Sequence, residues 1–121
     1  MKFYKRIKKE WKNIIFNVIF AIITLLIVIL FYKQILLLTI LLIGLAIIGL
    51  IKWSSKLTIL LFIMGGIFGT LAESIAINYG VWQYSLTNLF NVPLWLIIVW
   101  GNAAAFIYQP AVEIKTLGVK K

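Results

Sequence analysis

The sequence has no cysteine and no histidine, and in 121 positions it has three acidic residues and two prolines. Without cysteine there is no disulfide and no thiol nucleophile. Without either residue there is no Cys/His metal centre, and one isolated carboxylate does not replace it. A Ser–His–Asp set is excluded, and no phosphate-cradling glycine loop follows a strand. Neither metal nor cofactor is expected. The acidic residues are Glu10, Glu73 and Glu113, and only Glu73 falls inside a long apolar run.

What the chain has is hydrophobic surface. Hydrophobic residues make up 64% of it, against roughly 45–50% apolar in soluble domains. A core of this size cannot hide that much, so lipid must solvate part of it. The fold class is all-α, a polytopic membrane protein of one domain over residues 1–121. The net charge is +9, but the lysines flank apolar runs rather than form a patch. That pattern favours contact with anionic lipid headgroups, and nucleic acid is not expected as a partner.

Residues 1–12 read MKFYKRIKKEWK. Phe3, Ile7 and Trp11 recur every four residues among lysines, which makes either a basic interfacial helix or the positive flank of the first span. No A-x-A-like site follows, so a cleaved signal peptide fits badly. Four spans are expected, over residues 13–32, 35–51, 57–77 and 93–109. The first two form a hairpin that reverses near Lys33. One helix through both would be roughly 58 Å long, about twice the hydrocarbon core. Pro93 is expected to open the fourth span and Pro110 to close it.

Orientation follows from the basic residues. Four spans put the N-terminus, the 52–56 loop and the C-terminus on one side, with 6, 2 and 3 Lys or Arg; Lys33 stands alone on the other. That bias predicts a protein of the inner (cytoplasmic) membrane with both termini on the cytoplasmic side and the uncharged aromatic loop 78–92 outside.

Glu73 then lies about one turn below the outer surface. At 100° per residue it shares a face with Phe62, Gly66, Gly69 and Thr70. With Gly65, these small residues let another helix approach. On span four, Trp95, Asn102 and Gln109 are spaced by seven, with Gly101 keeping the helix slim. The spacing predicts spans three and four face to face, with Glu73, Trp95 and Asn102 in one cavity; Phe62, deeper on the same face, is either the floor of a pocket or ordinary packing. It turns Trp100 toward the other spans or lipid. A carboxyl in hydrocarbon costs at least about 2.5–3.5 kcal/mol, so Glu73 needs an explanation, and three stay open. It is a structural group, neutral or reaching outward to Lys33 or to the amides and hydroxyls of Asn78, Tyr79 and Tyr84. Or it is an acid that protonates a double bond of an apolar lipid, with aromatic faces steadying the cation. Or it is a proton-coupled transport site. The glycine face could also serve between protomers, so a homo-oligomer is expected.

The ordered pattern is Glu73, Gly80-x-Trp82-x-Tyr84, Pro93-x-Trp95 and Trp100-Gly101-Asn102. It resembles a family of small bacterial and archaeal integral membrane proteins, a resemblance that brings a pattern and no activity. More loosely, residues 65–109 are similar to membrane-embedded carotenoid enzymes of the lycopene hydratase and cyclase type. There an acidic helix residue precedes a Gly-x-Tyr-like segment and a later Pro and Trp. The resemblance implies Glu73 as catalytic acid, with Trp82, Tyr84, Trp95 and Asn102 lining the substrate pocket. This chain has four spans where those enzymes have more. In size and span count it is also similar to the small multidrug resistance transporters. Their glutamate lies in the first span, however, and the charge bias here opposes dual insertion.

Overall fold

A computed structural model describes residues 2–116, which form four helices and no strand. They are α1 (Lys2–Phe31), α2 (Ile35–Trp53), α3 (Lys56–Asn78) and α4 (Trp95–Thr116). Each contains a stretch long and apolar enough to cross a membrane. Helix is the form such sequences must take in hydrocarbon, where no water satisfies an open backbone group.

The turns are made by polar residues. The chain leaves α1 with the Gln34 N–H donating to the Phe31 carbonyl, 2.9 Å. Ser54 ends α2 at φ +48 while its hydroxyl donates to the Ile51 carbonyl, and Ser55 caps α3 by accepting from the Thr58 N–H. Gly80, at φ +82, ends α3. Its N–H donates to the Ile77 carbonyl and that of Val81 to Ala76, the paired closure that a left-handed residue allows.

α4 is the hub. It packs against α1, α2 and α3, whereas α3 meets little of the other helices besides α4, and α1 and α3 do not meet among the described residues. The buried centre joins Leu38 and Leu42 of α2 to Val92, Trp95 and Leu96. Most other large apolar side chains point outward; Leu30, Leu36 and Ile51 are 70–72% exposed. Hydrocarbon solvates such a surface and water does not.

α1 runs unbroken from the basic segment into the span, as a flank of that span would; the side chains of Phe3 and Ile7, and the tail after Thr116, lie outside the described residues. Two boundaries differ from expectation. α4 begins at Trp95, with the carbonyl of buried Pro93 accepting from the Leu96 N–H in the preceding turn. Pro110 does not close the helix, which continues to Thr116. A proline removes one helical bond but stops a helix only with help, and the next glycine is Gly118.

At the end of the bundle holding the 52–56 loop, Trp53 donates its indole N–H to Asn17 Oδ1 (2.9 Å) and Lys52 donates to Asn13 Oδ1 (3.2 Å). The Phe20 and Trp53 rings close over Gly49, where a Cβ would come within 2.7 Å of Phe20. These contacts lock α1 to α2.

Candidate functional site: a Glu–Tyr–Trp cluster and two cavities

The opposite end of the bundle carries the chemistry. Half-buried Glu73, near the end of α3, accepts hydrogen bonds on both oxygens: Oε1 from the Tyr84 hydroxyl at 2.5 Å, and Oε2 from the Trp100 indole N–H. The Trp100 ring lies where a side chain on Gly69 would stand. Glycine one turn below the carboxylate is therefore what admits the indole.

The other glycines meet α4 in the same way. A Cβ on Gly66 would lie 2.8 Å from the Ile97 carbonyl oxygen, and one on Gly65 would strike Ala104. From α4, Gly101 receives the Phe62 ring, which would stand 2.7 Å from a Cβ there. Farther along the same pair of helices, Gln109 donates to the Thr58 hydroxyl, 2.6 Å.

Tyr84 is held on Glu73 by a stapled loop. Ser74 donates through its hydroxyl to Asn91 Oδ1 (2.6 Å), and Asn91 returns a bond to the Ser74 carbonyl (3.0 Å). Asn88 accepts from the Leu94 N–H at 2.8 Å. Between them Leu89 and Val92 bond across a tight turn that sets Phe90 at φ +55, 95% exposed. The Tyr84 ring meets Trp95 edge-on, with centroids 5.9 Å apart.

Two cavities flank α4 on its α1 side. The upper one, about 350 Å³, is lined by Tyr84 and Trp95 together with Val28 and Tyr32. The lower one, about 220 Å³, is lined by Asn102 among apolar residues that again include Val28. Glu73 lines neither. Asn102 is 2% exposed and both polar atoms of its amide lack a partner; the Trp95 indole N–H and the Thr70 hydroxyl are buried without one as well. An amide left so costs about 1–3 kcal/mol on protein mutational scales.

This arrangement corrects several expectations. Trp100 does not face the other spans; it is Glu73's partner on α4. Asn102 and Trp95 do not share a cavity with Glu73 between α3 and α4. Asn102 faces α1, and Trp95 packs on α2 and Tyr84. Phe62 is packing against Gly101 rather than a pocket floor. Trp82 is 45% exposed and makes none of the cluster's contacts. Lys33 does not pair with Glu73; its ammonium stands 5.9 Å from the Tyr32 ring. The Ser74–Asn91 staple was not foreseen, although serine and asparagine at the two ends of an uncharged loop are its only visible signal.

Burial, then the bond to Glu73, then that group's charge push the Tyr84 hydroxyl above the ordinary phenol range. A raised value means that the folded protein holds a proton the unfolded chain gives up. The resulting stability is complete below about pH 10 and is lost as pH rises beyond it. Unfolding measured across alkaline pH should therefore show a steeper fall for wild type than for Tyr84→Phe. Parallel curves would refute the coupling.

No family model, curated protein or solved structure matches the chain. Its class is defined by its own features. It is an all-helical protein with four helices fit to cross a membrane, and it carries a Glu–Tyr–Trp cluster where the α3–α4 loop folds back.

Proposed function

We propose that this protein is a multi-pass membrane protein that holds an apolar, isoprenoid-like lipid in the crevice between α1 and α4, beneath the loop stapled over Glu73. The observation that carries this reading is the upper cavity. Its walls are the Tyr84 and Trp95 rings, Val28, Ile29 and Tyr32 of α1, and the loop residues Gln83, Ser85 and Leu86, without a charged side chain. Glu73 acts behind the wall by fixing Tyr84, so the role favoured is binding. Acid catalysis would need the Glu73 proton at the cavity, and the Tyr84 hydroxyl stands between. Cation transport would need an open carboxylate, and both oxygens are covered by donors.

In this reading both termini are cytoplasmic, the basic N-terminus meets anionic headgroups and the cavity opens near the outer leaflet of the cell membrane. Self-association uses the exposed face of α3, where Ile63, Ile67 and Phe68 point outward. Single cysteines introduced at Ser85 and Ser54 test the orientation: only the first should react with an impermeant reagent added to intact cells. The lipid itself is tested by mass spectrometry of extracts from purified protein. Wild type should retain an apolar lipid that Glu73→Gln retains about tenfold less, equivalent to roughly 1.4 kcal/mol of lost affinity. Identical extracts would sink the proposal.

A further inference from the structure

The upper cavity is graded from bottom to top. Val28 and Ile29 lie about one turn deeper along α1 than Tyr32, and Leu86 and Trp95 add further apolar wall. Tyr32, Gln83 and Ser85 form the polar part of the lining, and all three are exposed. Lys33 follows Tyr32 directly, is exposed, and holds its ammonium 5.9 Å from that ring. A cation therefore stands beside one wall of a cavity whose own lining is uncharged.

Lys33 is the one Lys or Arg between Lys12 and Lys52. The chain's charge bias disfavours a cation at this end, and the turn does not need one, because the backbone N–H of Gln34 closes it onto the Phe31 carbonyl. Nor does it serve a carboxylate. Glu73 is taken by Tyr84 and Trp100, and Glu10 and Glu113 lie toward the opposite ends of α1 and α4.

Resting on the lipid reading above, we infer that the bound lipid carries a phosphate at its upper end, with Lys33 as its counter-charge. The apolar chain lies against Val28, Ile29 and Trp95, and the phosphate sits at the Tyr32–Ser85 rim. A lysine is a flexible point charge suited to a phosphate. The Gln83 amide and the Ser85 hydroxyl are further donors at the same rim. A phosphate monoester offers three acceptor oxygens to these three groups; a carboxylate offers two, and a bare alcohol leaves the ammonium unpaired. An ammonium head would be repelled. The volume sets the chain. A cavity of about 150 Å³ holds benzene, so 350 Å³ takes roughly 14 carbons, about a farnesyl group.

The test uses the full chain in uncharged dodecyl maltoside micelles, with tritiated farnesyl phosphate and tritiated farnesol as probes. Farnesyl phosphate should bind about tenfold more tightly than farnesol, a modest gain because the cation is exposed. Lys33→Gln should remove that tenfold and leave farnesol binding unchanged, which also shows that the variant folds. Lys33→Arg should keep the preference. So should Lys56→Gln, which removes the same charge at the other end of the bundle. Inorganic phosphate should displace neither probe at millimolar concentration, and farnesoic acid should compete less well than the phosphate. Equal affinity for farnesol and farnesyl phosphate, both lost in Glu73→Gln, would overturn the phosphate and leave the lipid cavity standing. Binding of neither probe would overturn both. An equal loss in Lys56→Gln would reduce the preference to net charge, displacement by inorganic phosphate would make the ligand a free anion, and farnesoic acid binding as tightly would remove the choice of phosphate; each overturns the inference.

Discussion

Gly69→Leu should separate α3 from α4 and lower stability by about 2–4 kcal/mol, one of the two largest effects expected of a single substitution here. α3 has little else to rest on, since among the described residues it does not meet α1 and meets α2 only slightly. Its contact with α4 depends on the absence of side chains at Gly65, Gly66 and Gly69, and the Trp100 ring fills the space beside Gly69. Overfilling a packed site costs about 1–3 kcal/mol. Expelling the indole also breaks its bond to Glu73, worth about 0.6–1.7 kcal/mol inside a membrane. Gly66→Ala should be costly as well, because the obstacle there is the Ile97 carbonyl, which cannot swing aside. Gly44→Ala supplies the contrast. Nothing lies within 4 Å of a Cβ there, so it should gain roughly 0.5–1 kcal/mol of helix propensity. Reversible unfolding by sodium dodecyl sulfate in mixed micelles measures all three. Equal midpoints for Gly44→Ala and Gly69→Leu would show that α3 is not held through its glycines.

The contrast between glycines marks how far the sequence could be read. The uncharged runs and their lysine flanks were enough to place four helices, because hydrocarbon leaves a backbone no alternative. A helical wheel was enough to put Glu73 beside small residues, since angles within one helix follow from spacing alone. It could not say which neighbour each side of α4 meets. α4 touches three helices, so two opposite stripes both make contacts. Ile97, Trp100, Gly101 and Ala104 lie toward α3, while Asn102 lies toward α1. Drawing the α3 contact through Trp95, Asn102 and Gln109 therefore turned Trp100 away from its true partner. Gln109 does reach α3 from that stripe, at the Thr58 hydroxyl. The loop was less legible still. Tyr84 reaches Glu73 because Gly80, Ser74 and Asn91 fold the loop back, and that path rests on backbone turns rather than periodicity. Lys33 was the nearest charge in the span order. Yet Glu73 is satisfied by neutral donors, and Lys33 stays exposed at its turn, over Tyr32.

Glu73→Ala should cost about 2–3 kcal/mol, and Glu73→Gln only about 1, although both should empty the upper cavity. The reason lies in the two acceptors. Alanine leaves the Tyr84 hydroxyl and the Trp100 N–H both without a partner, in surroundings where water does not replace one. Bonds of this kind contribute about 0.6–1.7 kcal/mol each in membranes. Trp100 is 36% exposed in the isolated chain, but that side meets lipid in the reading proposed above, so exposure gives its N–H no relief. Glutamine keeps one acceptor oxygen and turns an NH₂ toward the other donor. Its oxygen can accept from the Trp100 N–H while its NH₂ donates to the Tyr84 oxygen, so only the Tyr84 proton loses its acceptor. Tyr84→Phe separates the bonds. It removes one donor and leaves Trp100 in place, so its stability should match Glu73→Gln while its retained lipid falls with both glutamate variants. Unfolding in mixed micelles and lipid extraction from the same preparations give the two readouts. If lipid content simply tracked stability across the three variants, Glu73 would be a structural group alone. If Glu73→Gln and Tyr84→Phe lose the lipid while staying within ~1 kcal/mol of wild type, the carboxylate's task is to hold the Tyr84 ring where the cavity needs it.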